Sequence, residues 1–221
     1  ENRLVGIVTV DDAMDVLQEE VTEDIEKMAA ILPGDKPYLK TGVFETWRAR
    51  TPWLMMLMLS ATFTGMILTH FENSLAAVPI LTSYIPMLTG GNSGTQASTA
   101  VIRALSLGEV RFSDLLRVVW KECRVALICG VCLAAANFVK MMVVDCWLLA
   151  NPTVTPAVAA VVCCTLVGTV ACAKLVGASL PILAEKIGFD PAVMASPFIS
   201  TIVDALSLLI YFRFATWILG V

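Results

Sequence analysis

Residues 194–219 read MASPFISTIVDALSLLIYFRFATWIL, and this stretch decides the fold class. It is apolar enough, and longer than the roughly 20 residues needed, to cross a bilayer as one helix. One residue resists that reading. Asp204 falls in the interior, where a carboxylate costs roughly 2.5–3.5 kcal/mol even on a lenient insertion scale. An acid at that depth either faces a pairing partner or lines a wet path for cations. Ser200 stands four residues before it, on the same helical face. Ser196, Pro197 and Thr201 extend the polar stripe toward Asp190.

The rest of the chain agrees with a membrane setting. It is 57% hydrophobic and only 15% charged, with a mean hydropathy of +0.79, whereas an ordinary soluble domain is about a quarter charged. Five spans are expected, at about 52–71, 75–105, 116–149, 154–183 and 191–219. The second is interrupted. Pro79 and Pro86 precede the octet Thr89-Gly90-Gly91-Asn92-Ser93-Gly94-Thr95-Gln96, which is unsuited to a plain lipid-facing helix. Spans two and five both carry Pro and small polar residues inside, and paired broken segments point to a transport site.

Charge sets the orientation. Arg3, Lys27, Lys36, Lys40, Arg48 and Arg50 precede the first span; Arg103, Arg111, Arg117, Lys121 and Arg124 lie between the second and third; Lys186 lies between the fourth and fifth. The opposite side carries Lys140, with Arg213 near the end of the last span. The positive-inside rule then predicts a cytoplasmic N-terminus and an outer C-terminus. The cytoplasmic front end is acidic: residues 11–45 hold ten of the chain's 19 acidic residues, which argues against nucleic acid as a partner. Residues 1–10 read as a short strand. Asp11 is the expected cap of a helix running through Glu20, and Thr22 of a second helix ending near Leu32 before Pro33-Gly34. The abrupt front end reads as that of a fragment.

The seven Cys, including Cys129 and Cys132 in a CxxC, lie in or beside apolar stretches and read as packing residues. No second Cys pair or His stands at zinc-ligand spacing. No phosphate loop, metal–His motif or nucleophile–base set appears, so no enzyme is expected. An intramembrane aspartyl protease needs two cooperating acids, and Asp145, the one candidate mate for Asp204, is expected at the outer surface. Lys174, deep in the fourth span, is expected to pair with Asp145 or Asp204 or to reach toward an interface, facing away from any pore.

Three motifs in order resemble one family, the MgtE magnesium channels and transporters. Leu4-Val5-Gly6-Ile7-Val8-Thr9-Val10-Asp11-Asp12 resembles the closing strand and helix of a CBS domain. Gly90-Gly91-Asn92-Ser93-Gly94-Thr95-Gln96 is followed by Ile102-Arg103-Ala104-Leu105. Leu180-Pro181 is followed by Asp190-Pro191-Ala192, Pro197 and Asp204. The resemblance covers essentially the whole chain. It implies an all-α membrane protein of the cell membrane, a homodimer with five transmembrane helices per protomer and a pore between protomers. It further implies a CBS remnant at residues 1–21, a plug or connecting helix at 22–50 and the pore domain at 51–221, without the N-terminal helical domain and most of the two CBS domains.

The implied ion is Mg²⁺, drawn inward and gated by cytosolic Mg²⁺; the partners are a second copy, membrane lipid and Mg²⁺. Asp204 matches the family's pore aspartate, so that two copies face each other across the dimer axis. Mg²⁺ is small, octahedral and slow to shed water, so few carboxylates and carbonyls suit it. A structural Asp204 paired with Lys174 or with a backbone group is the other reading. Asn92 and Gln96 are expected to line the pore with Ser196, Ser200 and Thr201, although Gly90 and Gly94 also fit helix–helix packing. The family shows Asn-Pro where this chain has Ser196-Pro197. Asp190 matches a regulatory magnesium ligand and equally reads as a helix cap. Asp12 and Asp15, and Glu20, Glu23 and Asp24, share helical faces, forming either a magnesium sensor or a solvated acidic face. A secondary transporter of Co²⁺, Mn²⁺ or Zn²⁺ is the alternative function, but soft metals call for His or thiolate ligands, and the stripe around Asp204 is oxygen-rich.

Overall fold

A computed structural model of the chain describes residues 6–34, 36–88, 90–194 and 196–220. Leu4 and Val5 of the expected strand, Asp35 of the connector, Thr89 of the octet and the side chain of Ser196 lie outside the described residues. Among the described residues every regular element is helical. Ile7, Val8 and Thr9 are exposed and form no strand; among the described residues no neighbouring strand takes their hydrogen bonds.

The front end folds as one helix, α1 (Val10–Met28), rather than two. Its cap is Thr9 and not Asp11. Thr9 and Asp12 form a reciprocal capping box: the Asp12 amide donates to Thr9 Oγ1 at 3.3 Å, and the Thr9 amide donates to Asp12 Oδ2 at 2.8 Å. Thr22 does not restart the helix; its hydroxyl donates to the Gln18 carbonyl. The helix ends four residues before the expected stop, at Met28, where Ala30 turns the chain with φ +56°. α1 therefore crosses the expected boundary between residues 21 and 22 without a break.

α2 (Val43–His70) starts ahead of the expected first span and carries Pro52 within it. The second span is broken, as its prolines foretold: α3 (Glu72–Ala77), α4 (Ile80–Tyr84) and a 3₁₀ turn at Ile85–Met87 lead into α5 (Gly90–Ser106). From Gly90 onward the glycine octet is regular helix within α5, and the break at Ile85–Met87 falls before it. α6 (Leu115–Lys140) continues through a π-helical stretch, Met141–Leu148. α7 (Pro156–Lys186) is capped by Thr155 with Pro156 in the first turn. It stops at Gly188, whose φ of +83° lets the Phe189 amide reach back to the Ala184 carbonyl at 2.9 Å. α8 (Ser196–Leu219) is the final helix. Among the described residues four helices are long and apolar enough to cross a membrane: Val43–His70, Phe112–Leu148, Pro156–Lys186 and Pro197–Leu219. The chain is a multi-pass, all-α membrane protein.

α7 is the central post, and α5 lies in the angle between α7 and α8. A Cβ at Gly177 would collide with the Gly94 carbonyl, and one at Gly94 would stand 2.9 Å from Ile199 Cγ2. Bare glycines let these backbones touch, the usual device for packing helices in lipid, where no hydrophobic force drives them together. At one end, Phe71 stacks on Phe212 at 4.4 Å between ring centroids. There the Tyr211 hydroxyl donates to the Leu81 carbonyl at 2.8 Å and satisfies part of the broken span.

Candidate functional site

α8 presents Asp204 about 12 Å along the helix from Ser196, well inside the span. Its side chain is exposed at the protein surface, and among the described residues it has no basic partner. A methyl group at Gly91 would stand 3.0 Å from Asp204 Oδ1 and 3.3 Å from Ser200 Oγ. The Asp204 carboxylate and the Ser200 hydroxyl thus meet over the bare backbone of α5. Thr201 stands on α8 beside Ser200, but its hydroxyl donates to the Pro197 carbonyl at 2.9 Å.

From this junction α5 carries an outward polar stripe. Asn92 and Gln96 are exposed, as are Thr99 and Arg103, while Gly90, Gly91, Ser93, Gly94, Ala97 and Ser98 are buried. The i, i+4, i+7, i+11 spacing puts all four exposed groups on one face. Thr99 was not singled out from sequence, although its i+3 relation to Gln96 was there to be read. Ser207, three residues beyond Asp204, was also missed; its hydroxyl is buried against Gly90 without a hydrogen-bond partner among the described residues.

Two other charged groups of the span region, Lys174 and Asp145, have different settings. Lys174 pairs with neither Asp145 nor Asp204. It is buried between α7 and α6, with Nζ 3.9 Å from Glu122 Oε2. Asp145, expected at the outer surface, is 9% exposed. It accepts from the Tyr84 hydroxyl at 3.0 Å and from Lys140 Nζ at 2.9 Å. Burial of a charge is tolerable because both partners are in place.

A second cluster lies where α1 meets the turn leading into α8. Lys27 Nζ is 2.6 Å from Asp190 Oδ2 and also pairs with Glu23 one turn back on α1. Asp190 Oδ1 accepts the Ala192 amide at 2.9 Å, so Asp190 does cap the short turn at Pro191–Met194. Burial pushes the Asp190 carboxyl up, but the hydrogen bonds from Lys27 and Ala192, with the Lys27 charge, outweigh it and hold it below the usual carboxylate value. The hydrogen bonds to Asp190 and then Glu23 raise Lys27 above the ordinary lysine value. An ammonium stands between these two carboxylates.

The remaining acids of α1 spread out. Asp15, Glu20 and Glu23 line an acidic groove of about 770 Å³ with Glu19, Glu26 and Lys36. Asp12 is spent on Thr9, whose hydroxyl holds its carboxyl below the ordinary value. Asp24 is half-buried outside that groove. Among the described residues no three His, Cys, Asp or Glu side chains converge as a metal cluster.

Comparison with known proteins fits this geometry. Over 221 residues the chain is 41% identical to the magnesium transporter MgtE of Thermus thermophilus, covering 99% of this chain and 47% of that protein. It is 37% identical to the magnesium transporter MgtE of Bacillus subtilis, covering 97% of this chain and 46% of that one. With the Enterococcus faecalis magnesium transporter MgtE the identity is 32% over 98% of this chain. The chain spans about half the length of the curated relatives it matches. Residues 83–214, from the broken second span through α8, match the family model described as MgtE, divalent cation transporter, and the chain belongs to that family.

Proposed function

We propose that this chain forms a Mg²⁺-conducting pore of the cell membrane, assembled from two copies and opened or closed from the cytoplasmic side, where α1 lies. The observation that carries the proposal is Asp204: an exposed carboxylate deep in a span, without a basic partner among the described residues, beside an exposed row of Asn92, Gln96 and Thr99. Such a group is expensive in lipid and cheap beside a cation path. Two copies related by a two-fold axis bring two Asp204 carboxylates together. Their mutual repulsion is relieved by a doubly charged ion between them. Asn92, Gln96, Ser196, Ser200 and Thr201 offer oxygen dipoles to the ion's water shell, which suits a cation that dehydrates reluctantly. The three relatives named as magnesium transporters support Mg²⁺ as the cargo.

The test is Mg²⁺ uptake into vesicles holding the purified chain. Asp204→Ala abolishes most of the flux; unchanged flux in that variant overturns the proposal. Competition by Co²⁺, Mn²⁺ and Zn²⁺ in the same assay decides between a Mg²⁺ path and a transporter of another divalent ion.

Cytosolic Mg²⁺ closes the path, in this proposal, through the α1 carboxylates Asp12, Asp15, Glu20, Glu23 and Asp24 and through Asp190. A bridging ion at Glu23 and Asp190 has to displace Lys27 first. Residues 1–21 and 22–50 are assigned, on the family resemblance, as the CBS remnant and the connecting helix.

A further inference from the structure

The outward face of α6 has features that ion passage does not use. Arg117, Trp120, Lys121, Arg124, Leu127, Ile128 and Val131 follow one another at helical spacing on one side of the helix, and all are exposed. The opposite side packs on α7, with Ala126 fully buried and a Cβ at Gly130 only 3.1 Å from Val167 Cα. The exposed face changes character along its length. Three cations occupy its first two turns, a rise of about 10 Å, and only apolar side chains follow. Trp120, 63% exposed, stands between the cations, with the Arg124 guanidinium 5.8 Å from its ring centre.

These cations are largely free. Arg117 reaches Asp114 at 3.3 Å but is 86% exposed, and an ion pair that exposed contributes little. Lys121 and Arg124 have no acidic partner among the described residues. Glu122, the nearest acid in sequence, points inward to Lys174. The cationic turns lie at the same membrane face as α1: Lys186, at the end of α7, sits over the Phe112 ring at 3.6 Å just before α6. That same end of α7 leads into Asp190, to which α1 is tied.

We propose that this face of α6 binds an anionic phospholipid of the leaflet on the α1 side. Arg117, Lys121 and Arg124 take the phosphate and headgroup, Trp120 lies at the level of the glycerol esters, and an acyl chain runs along Leu127, Ile128 and Val131. Charge complementarity selects this occupant. A second copy docking by the same face would set three cations against three, whereas each Lys or Arg near an anionic lipid surface gains about 1 kcal/mol, roughly a fivefold preference. Aromatic side chains of this kind concentrate at the headgroup level.

The test uses the full chain in vesicles containing a small fraction of brominated lipid, either phosphatidylglycerol or phosphatidylcholine. The emission of Trp120 is isolated as the difference between the wild type and Trp120→Phe. Brominated phosphatidylglycerol quenches this component several-fold more effectively than brominated phosphatidylcholine, and the preference collapses in the triple variant Arg117→Gln, Lys121→Gln, Arg124→Gln. Equal quenching by the two lipids overturns the proposal. So does a preference that survives the triple variant, or absence of quenching by either lipid, which would mean that protein covers the face. If the triple variant fails to fold, the wild-type comparison alone decides.

Discussion

Lys27 and Asp190 are joined by a 2.6 Å ion pair that spans 163 positions of the chain. It is the point where the acidic front helix is fastened to the turn from which α8, and with it Asp204, departs. Glu23 shares the same ammonium. The group is only partly buried, with Lys27 23% and Asp190 37% exposed, so solvent screening keeps its strength near the upper end for surface pairs, about 1 kcal/mol. Lys27→Met is expected to raise the undocked population of α1 by roughly two- to fivefold. Cleavage after Glu19, Glu20 and Glu26 by a glutamate-specific protease should quicken by the same factor, while Lys27→Arg stays close to wild type. An unchanged cleavage rate in Lys27→Met would show that α1 is held by its apolar contacts alone.

The same pair fixes how docking depends on pH. Asp190 is held below its ordinary value of 3.8. Its contribution is therefore complete above that value and is lost as the pH falls through the lowered one. Lys27 is raised above its ordinary 10.5, so its contribution is complete below 10.5 and is lost only as the pH rises through the raised value. Docking of α1 should therefore be flat between about pH 5 and pH 9 and weaken outside that window. A fluorophore on Met14, which is exposed on α1, reports the change. A transition centred near pH 6.5 would implicate a different group.

Gly177 tests the helix packing beside the proposed ion path. A Cβ there meets the Gly94 carbonyl, a backbone atom that cannot swing aside. Gly177→Ala must push α5 away from α7, at a cost of about 1–3 kcal/mol, and carries Gly91 and Asn92 away from Asp204. Lower thermal stability in detergent and reduced Mg²⁺ uptake are expected together. Gly65→Ala is the control: nothing lies within 4 Å of its Cβ position, and its stability should match the wild type. Equal melting of the two variants would contradict the close approach.

Most of the architecture was legible because membrane spans are dictated by composition over long windows. The prolines at 79 and 86 announced the broken span, and the cost of a carboxylate at membrane depth singles out Asp204 as the candidate on which the proposed site rests. The misreadings have local causes. Asp11 is a good cap by residue type, but Thr9 with Asp12 three residues on forms the reciprocal pair that Asp11 cannot. The strand expected at residues 1–10 rests on its apolar run and its resemblance, and among the described residues no strand partner stands beside Ile7 and Val8. The Lys27–Asp190 pair was invisible because nothing in sequence ties positions 163 apart. That Lys174 pairs with Glu122, and not with Asp145 or Asp204, is hidden for a related reason: the rotation of α6 that turns Glu122 inward is set by packing against α7, not by hydropathy.

Lys174 and Glu122 carry the last prediction. Both are nearly enclosed, at 7% and 14% exposure, and their charged atoms are 3.9 Å apart between two membrane helices. A buried pair contributes little net stability compared with an apolar replacement, but removing one partner strands the other. Lys174→Met leaves the Glu122 carboxylate enclosed without its partner and should destabilise the fold by about 3–5 kcal/mol. Adding Glu122→Gln should restore most of that loss, since an amide in the same place needs no counter-ion. Thermal unfolding of the two single variants and the double variant in one detergent measures the coupling. If the double variant melts no higher than Lys174→Met, the two charges do not act as a pair. Since Asp204 belongs to a separate, exposed surface, the double variant should also keep its Mg²⁺ uptake within about twofold of wild type, the additivity expected of sites without shared partners.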